Sequence, residues 1–309
     1  MKYLVTGGAG FIGSHLIELL INKNHQVVCI DDLSTGYKVN LSTVMQKIDL
    51  YEEKIEFFDY AKLTNIDAII HLAAQPSVPL SISNFSESSC SNIFGTIKII
   101  DYARSNNLPL VYASSSAVYG NLKLGDDEAD TYDLLSPYAT DKYAMELYSK
   151  MAYQTFSLSS VGLRFFNVYG PRQDPSSAYS GVISIFADQL TQGKDIVING
   201  GHQTRDFIYV KDIVNIIYRA LEISSSDIIC EISNVLTGQS ISIEDLAKKM
   251  MKIIDIKAHI NYKSLPSGDP AQSDGSINKM AKLFSVDSSK FTTLNNGLLD
   301  TINYIANER

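Results

Sequence analysis

The sequence predicts an α/β fold built on a doubly wound parallel sheet, and three observations support that prediction. A glycine-rich segment, GGAGFIG at 7–13, directly follows a short apolar run at the start of the chain. An acidic residue, Asp31, ends a second apolar run about 20 residues beyond the last glycine. Strand-like and helix-like segments then alternate as far as residue 166. This pattern is typical of a Rossmann-type sheet followed by a smaller, interleaved α/β lobe.

The glycine segment lies between a strand predicted at 3–5 and a helix predicted at 14–20. Glycines allow a tight turn and let backbone N–H groups approach a pyrophosphate at the helix N-terminus. A similar turn that binds no phosphate, with Asp31 as a capping residue, is the alternative. The dinucleotide interpretation assigns the pyrophosphate contacts to Gly7, Gly10, Phe11, Ile12 and Gly13.

Asp31 indicates which dinucleotide binds. It follows a strand predicted at 26–30, where a carboxylate accepts hydrogen bonds from the adenosine ribose hydroxyls. Because the same charge repels a 2′-phosphate, the sequence favours NAD over NADP as the cofactor.

The remaining pattern predicts the division into domains. Further strands are predicted at 68–74, 108–113 and 159–166, with a helix at 92–105. After Asn167 a long loop at 169–181 interrupts this regularity, and short strands and helices follow. We therefore predict an NAD-binding domain at 1–166, to which 205–225 return. The substrate-binding lobe consists of 167–204 and 226–309.

Composition narrows the function classes. The chain has 309 residues, is 45% hydrophobic and carries a formal net charge of -8, which argues against a nucleic-acid-binding surface. Its three cysteines are far apart and form neither a metal-ligand spacing nor an evident disulfide framework. We expect no metal and no membrane contact, and, because the first predicted strand leaves no room for a signal peptide, a cytoplasmic location.

Three side chains predict redox chemistry rather than dinucleotide binding alone. Ser115 follows a predicted strand, and Tyr138 and Lys142 lie four residues apart on a predicted helix that starts near Pro137. A free tyrosine has a pKa near 10, but a nearby ammonium group and the nicotinamide charge both stabilise phenolate. Tyr138 could then take a proton from a substrate hydroxyl. Singly, the serine could mark a turn, and the Tyr–Lys pair an ordinary helix surface.

Seven blocks in order carry a family resemblance: GGAGFIG (7–13), DDLSTG (31–36), HLAAQPSV (71–78), SSSAVYG (114–120), SPYATDK (136–142), RFFNVYGPRQDP (164–175) and TRDFIYVKD (204–212). The chain resembles an extended short-chain dehydrogenase/reductase of the nucleotide-sugar epimerase/dehydratase group. The resemblance implies catalytic roles for Ser115, Tyr138 and Lys142. It also implies cofactor contacts from Asp32, Ser34, Gly36, Asp59, Leu72, Ala73 and Ala74, beside Tyr138 and Lys142. Implied UDP-sugar contacts are Ser77, Val78, Ser115, Ser116, Asn167, Gln173, Tyr179, Arg205, Asp269 and Ser273.

The residues after Ser115 favour epimerisation within this family. Dehydratases of the group follow the catalytic hydroxyl residue with Asp-Glu, which supply the acid and base for eliminating water. Here those positions are Ser116 and Ala117. By resemblance, a 4-epimerase oxidises C4 to a ketone, lets the sugar turn while UDP stays anchored, and returns hydride to the other face.

The sugar is inferred from the position that gates the family's pocket. If Gly268 and Asp269 belong to the family's RxGD motif, the gate falls on Ser273, where a small residue leaves room for a C2 acetamido group. The segment from Gln173 to Tyr179 also resembles epimerases of N-acetylated UDP-hexosamines. We expect UDP-GlcNAc and UDP-GalNAc as substrates. UDP-glucose/UDP-galactose, UDP-uronic acids and a catalytically silent NAD-binding regulator are the alternatives.

The chain departs from the family in two places. Pro266 stands where the family has an arginine, three residues before Asp269. The segment 56–67 is shorter than the family's usual stretch before HLAA, which suggests a trimmed helix and leaves the alignment of Asp59 with the family's adenine contact insecure. His71 reads as a structural strand-end residue. The family further implies polysaccharide biosynthesis and a homodimer, with candidate interface residues Ile93, Ile97, Ile100, Met145, Leu147 and Met151, which could equally face their own sheet.

Overall fold

The computed structural model describes residues 1–177, 180–265 and 270–307. The strands are β1 (Lys2–Thr6), β2 (Gln26–Ile30), β3 (Ile48–Tyr51), β4 (Ala68–His71), β5 (Leu110–Ser115), β6 (Ser160–Phe165), β7 (Asn167–Tyr169), β8 (Ile196–Asn199), β9 (Thr204–Tyr209), β10 (Cys230–Val235), β11 (Ser240–Ser242) and β12 (Ile260–Lys263). The helices are α1 (Phe11–Asn22), α2 (Val78–Ser83), α3 (Phe85–Ser89), α4 (Gly95–Asn106), α5 (Pro137–Phe156), α6 (Val182–Thr191), α7 (Val210–Ser226), α8 (Ile243–Ile254), α9 (Asn278–Leu283) and α10 (Leu294–Asn307).

The central sheet has seven strands in the order β10-β6-β5-β4-β1-β2-β3. β1 pairs in parallel with both β2 and β4, and β2–β3 and β4–β5 are also parallel pairs. Strand order reverses at β1, so the chain winds in one direction to β3 and in the other through β4, β5 and β6. The carboxyl ends of parallel strands meet at one edge of such a sheet, where open α/β proteins bind ligands. The Rossmann-type fold predicted from the sequence is confirmed.

The apolar runs that predicted the strands are buried on both faces, as parallel strands require. β1, β2 and β4 contribute Leu4, Val28 and Ile69 to the core, each at most 2% exposed. β4 and the turn after it lie beside α4, which is preceded by one π-helical turn at Cys90–Phe94. In 56–67 the chain forms a short 3₁₀ turn, Tyr60–Lys62, so no full helix connects β3 to β4.

Clustering of contacts divides the chain into two units. The first contains 1–118, 134–164 and 214–233, and the second contains 119–133, 165–213 and 234–309. The returning segment thus starts at 214, where the sequence analysis expected 205, and 119–133 falls in the second unit. The second unit contains a three-stranded sheet, β11-β9-β7, and a two-stranded sheet, β12-β8. Within the described residues, no helix is long and apolar enough to cross a membrane.

The expected dimer residues divide between core and surface. Ile100 and Met145 are 5% and 1% exposed because α4 and α5 pack on each other and turn these side chains into the core of the first unit. Leu147 and Met151 are 49% and 40% exposed. The helical period does not tell which apolar positions of α5 face the sheet, because the buried side of this helix also carries Asp141, Lys142 and Glu146. For Ile100 and Met145 the structure therefore supports the alternative, that they pack inside their own unit.

Candidate active site

The glycine turn connects β1 to the start of α1. Gly7 has φ +69°, and a Cβ there would lie 2.6 Å from the backbone nitrogen of Ala73. A Cβ on Gly13 would lie 2.2 Å from the carbonyl oxygen of Gly7. Gly10 is the N-cap of α1 and contributes no side-chain hydrogen bond, while Phe11 opens the helix with Ile12 beside it. The turn is a backbone cradle at a helix N-terminus, which fits the pyrophosphate of a dinucleotide.

Asp31 holds this turn in place from the end of β2. Its Oδ2 accepts a hydrogen bond from the backbone N–H of Ala9 at 2.8 Å, and its Oδ1 accepts one from Leu33 at 2.9 Å. Burial raises the pKa of the Asp31 carboxyl, while these backbone N–H groups lower it. A carboxylate has about four acceptor positions, so Asp31 can also accept from a ribose hydroxyl beside its backbone N–H partners. That contact stays a prediction.

The other predicted cofactor residues surround the turn or lie further from it. A Cβ on Gly36 would lie 2.9 Å from the backbone carbon of Ala9. Asp32 and Ser34 are bonded to each other, with Ser34 Oγ 2.6 Å from Asp32 Oδ1. Asp59 is exposed and accepts from the backbone of Ala61, as the N-cap of the 3₁₀ turn.

The segment after β4 is tied to β1. The N–H of Leu72 donates to the carbonyl of Thr6, and the N–H of Ala73 donates to the Thr6 hydroxyl at 3.2 Å. Leu72, Ala73 and Ala74 are all partly buried. This segment and the glycine turn therefore occupy neighbouring strand ends, as a cofactor site at this edge requires.

The structure brings Ser115, Tyr138 and Lys142 together. Ser115 ends β5, and its hydroxyl hydrogen-bonds the phenol of Tyr138. Lys142 is 2% exposed, donates to the carbonyl of Ala113 at 2.8 Å, and has its Nζ 5.7 Å from the centre of the Tyr138 ring. α5 carries both side chains, because Ser136 caps the helix and Pro137 begins it, as the sequence predicted.

Burial dominates the ionisation of this group in the ligand-free chain. Burial raises the pKa of Tyr138, the Ser115 hydroxyl lowers it, and the charge of Asp141 raises it. Burial also lowers the pKa of Lys142 to about 8, while Asp141 and Glu146 raise it. Without bound ligands, Tyr138 is therefore a phenol at neutral pH, and lysine alone does not make it a base.

A buried polar network lies beside Ser115, Tyr138 and Lys142, which together form the triad, and it could not be predicted from the sequence. Asp141, 4% exposed, accepts hydrogen bonds from Ser89 Oγ at 2.9 Å and from Asn92 Nδ2 at 3.1 Å. Asn92 also donates to the carbonyl of Gln75 and accepts from its N–H. Asp141 lies inside the quoted SPYATDK block, but its partners come from a distant segment.

Of the predicted substrate residues of the first unit, Ser116 follows Ser115 in the chain, and Ser77 and Val78 lie at the start of α2, which packs against α5. Ser77 is the N-cap of α2, with its hydroxyl accepting from Leu80 N–H at 3.1 Å, and Val78 begins that helix. Ser81, in the same helix, accepts a hydrogen bond from the backbone N–H of Tyr138. Ser116 begins a 3₁₀ turn directly after β5. Substrate contacts of Ser77, Val78 and Ser116 stay predictions.

The second unit holds the remaining candidates. Asn167 in β7 donates to the carbonyl of Asp206 in β9 at 3.0 Å, and Arg205 is 9% exposed. Gln173 donates to the carbonyl of Val168 at 3.2 Å. Ser273 is partly buried. The neighbouring segment is fixed by backbone hydrogen bonds from Gly125 to the Asp274 carbonyl and from Ser276 to the Gly125 carbonyl.

The predictions for Tyr179, Asp269 and Pro266 fall outside the described residues. Within the ranges that the structure describes, no group of three or more His, Cys, Asp or Glu side chains could hold a metal ion.

A parallel Rossmann sheet with a backbone cradle for pyrophosphate and a buried Ser–Tyr–Lys group defines an NAD-dependent oxidoreductase-type site of the short-chain dehydrogenase/reductase class. The chain belongs to the NAD dependent epimerase/dehydratase family, whose sequence profile matches residues 3–235. It is an NAD-dependent enzyme of the nucleotide-sugar 4-epimerase class.

Three solved structures resemble the whole chain. UDP-glucose 4-epimerase of Thermotoga maritima with UDP-glucose is 30% identical, with a TM-score of 0.92 over 100% of this chain and 99% of its own. UDP-N-acetylglucosamine 4-epimerase of Methanobrevibacter ruminantium, in complex with UDP-N-acetylmuramic acid, is 32% identical, with a TM-score of 0.90 over 100% and 99%. UDP-glucuronic acid 4-epimerase of Bacillus cereus, with UDP-glucuronic acid and NAD, is 31% identical, with a TM-score of 0.91 over 100% of both chains.

Proposed function

We propose that the enzyme interconverts UDP-GlcNAc and UDP-GalNAc by epimerisation at C4. The observation that carries the choice of sugar is the small side chain of Ser273, which takes the family's gate position if Gly268 and Asp269 belong to its RxGD motif. Relatives of similar identity act on UDP-glucose, UDP-N-acetylglucosamine and UDP-glucuronic acid, so overall similarity does not distinguish these sugars. UDP-glucose/UDP-galactose and UDP-uronic acids are therefore the competing substrates.

The proposed reaction consumes no net oxidant. NAD, when bound, would accept the hydride from C4 and, once reduced, return it to the same carbon. Tyr138, as phenolate, takes the proton of the C4 hydroxyl and returns it after the resulting 4-keto sugar has turned. Ser115, hydrogen-bonded to Tyr138, holds the substrate hydroxyl in line for this transfer. Lys142 supplies the positive charge that favours phenolate.

The absence of a carboxylic acid directly after Ser115 supports epimerisation over dehydration. Ser116 and Ala117 occupy the positions at which the group's dehydratases carry Asp and Glu. Neither can protonate a departing C6 hydroxyl as a carboxylic acid would. Water elimination therefore has no proton donor at these two positions.

The variant Ser273→Tyr tests the choice of sugar. A tyrosine at the gate should narrow the pocket and lower kcat/KM for UDP-GlcNAc relative to UDP-glucose by about 10- to 200-fold, the range for a changed pocket contact. Gln272→Tyr is the matched control, because Gln272 is the exposed neighbour in the same segment. If the ratio of kcat/KM for UDP-GlcNAc to that for UDP-glucose is unchanged in Ser273→Tyr, the proposed gate is contradicted. If the unsubstituted enzyme is inactive on all UDP-sugars, the proposed reaction is contradicted.

We also propose that the enzyme is a homodimer that joins through α2, α3 and α5. An exposed apolar face on these helices and the π-helical turn supports this interface. Its members are Ile82 (62% exposed), Phe85 (61%), Phe94 (43%), Leu147 (49%) and Met151 (40%). Single exposed apolar residues are ordinary, but a set on adjoining helices indicates a protein interface.

A further inference from the structure

Asp141 is a buried acid that the proposed mechanism does not use. It lies on α5 between the two catalytic candidates, Tyr138 and Lys142, and is 4% exposed. A buried carboxylate is retained in a fold only when hydrogen bonds and an opposite charge replace water around it. Asp141 meets the hydrogen-bonding part of that condition, because Ser89 and Asn92 both donate to it.

The donors to Asp141 come from the segment that precedes α4. Ser89 ends α3, and Asn92 lies in the π-helical turn. Single π-helical turns are frequent at functional sites. Asn92 also forms a reciprocal pair with the backbone of Gln75, its side-chain oxygen accepting from the N–H at 2.8 Å. Asp141 is thereby linked through one amide to the segment that follows β4, which holds the predicted cofactor residues.

The charges around this carboxylate come from several elements. Burial raises the pKa of Asp141, while the hydrogen bonds from Asn92 and Ser89 and then the charge of Lys142 lower it. The charge of Lys142 also lowers the pKa of His71 on β4, and the charge of Glu146 on α5 raises the pKa of Lys142. Tyr138 is hydrogen-bonded to Ser115 on β5, and the charge of Asp141 raises its pKa. Arg164 on β6 is hydrogen-bonded to Glu146, so much of that second carboxylate's charge is already paired.

We infer that Asp141 is a positioning residue: it joins α5, which carries Tyr138 and Lys142, to the cofactor segment through Asn92, and it places a buried carboxylate next to Lys142 in the chain. This inference rests on the proposed roles of Tyr138 and Lys142. Burial alone favours a neutral Lys142, which could not stabilise the phenolate. The carboxylate of Asp141 opposes that tendency. The same charge disfavours phenolate at Tyr138, so Asp141 moves the ionisation of both groups towards higher pH.

The variant Asp141→Asn removes the charge and keeps the shape of the side chain. Without the carboxylate, the pKa values of Tyr138 and Lys142 should both fall, because a nearby negative charge raises each of them. We therefore expect both limbs of the pH profile of kcat/KM to move to lower pH by about one unit. Asp101→Asn is the control, because it removes the same charge from an exposed position on α4.

A second measurement does not depend on turnover. The tyrosinate absorbance of the protein, titrated with base, should show the Tyr138 transition at lower pH in Asp141→Asn. Subtracting the matching Tyr138→Phe protein isolates this transition. Asp141→Ser, with a smaller neutral side chain, should behave in the same way. Folded Asp141→Asn and Asp141→Ser proteins with unmoved limbs and an unmoved transition would overturn the inference. The unsubstituted enzyme could convert no UDP-sugar while the Tyr138 transition still lies at lower pH in the Asp141 variants than in the unsubstituted protein. In that case the proposed reaction fails and the electrostatic role of Asp141 stands.

Discussion

The carboxylate of Glu146 receives two hydrogen bonds from the guanidinium of Arg164, at 2.8 and 2.7 Å, and both side chains are 2% exposed. Ser114 donates a third hydrogen bond to the same carboxylate at 2.5 Å. Glu146 lies one helical turn beyond Lys142 on α5, and Arg164 lies on β6. This pair therefore fixes α5, which carries Tyr138 and Lys142, to the central sheet.

Replacing Arg164 by methionine should destabilise the protein strongly. The Glu146 carboxylate would stay buried without its charged partner, which costs about 3–5 kcal/mol of unfolding free energy. Arg104→Met is the control, because Arg104 pairs with Asp101 on the exposed surface of α4, where such pairs contribute about 0–1 kcal/mol. Urea unfolding of both variants measures the difference. Equal losses would show that the buried pair contributes no more than the exposed one.

Gly7→Ala should weaken NAD binding. Its Cβ would lie 2.6 Å from Ala73 N, so the turn has to shift and lose N–H contacts to pyrophosphate. Hydrogen bonds to charged groups contribute about 1.5–3 kcal/mol each, so we expect at least about a tenfold loss of affinity by calorimetry. Gly193→Ala is the matched control: Gly193 also has a positive φ, +65°, but its Cβ would meet nothing within 4 Å. Equal NAD affinity in the two variants would contradict the cradle.

His71 should make stability depend on pH. Its ring is bonded to Thr6 and Thr96 and is 1% exposed, and burial lowers its pKa to about 3. An unfolded histidine has a pKa of about 6.5, so between those values only the unfolded chain binds this proton. The unfolding free energy should therefore fall by about 1.4 kcal/mol per pH unit as the pH drops through this window.

Comparison of His71→Gln with His202→Gln isolates that effect. His71→Gln should lose this part of the pH slope, whereas His202→Gln should keep it, since the side chain of His202 is 97% exposed. Urea unfolding at several pH values gives both slopes. An unchanged slope in His71→Gln would assign the acid sensitivity to other groups.

Phe85→Glu should convert the proposed dimer to a monomer. A charge introduced among the exposed apolar side chains of α2, α3 and α5 would have to be desolvated in the interface. Phe57→Glu is the control, because Phe57 is 74% exposed but lies between β3 and β4. Sedimentation velocity of the three proteins at equal concentration distinguishes the states. A monomeric unsubstituted enzyme, or a dimer that survives Phe85→Glu, would contradict the proposed interface.

Local signals predicted the first half of the fold well. Gln26–Ile30 forms β2 as predicted, and α5 begins at Pro137 behind its Ser136 cap. β5 extends two residues beyond its predicted end at 113, because Ser114 is buried against Glu146. From sequence alone, a polar residue indicates the end of a strand, because a hydrogen-bond partner on a distant element cannot be foreseen.

Partners on distant elements also explain which part of the site could not be predicted from the sequence. Ser115, Tyr138 and Lys142 could be predicted because their residue types and spacing carry the chemistry. The Asp141–Asn92 network could not, since it depends on a π-helical turn that brings a distant amide to α5. Core and surface positions on α5 were likewise indistinguishable until its packing against α4 was known.

Proton NMR of the purified enzyme with UDP-GlcNAc and, separately, UDP-glucose tests the central claim most directly. The anomeric signal of UDP-GalNAc should appear from UDP-GlcNAc, and faster than the corresponding signal appears from UDP-glucose. Tyr138→Phe should bind NAD normally but slow this conversion by about 10²- to 10⁴-fold, the usual contribution of a general base. A 4-keto-6-deoxy product, or full activity in Tyr138→Phe, would contradict the account.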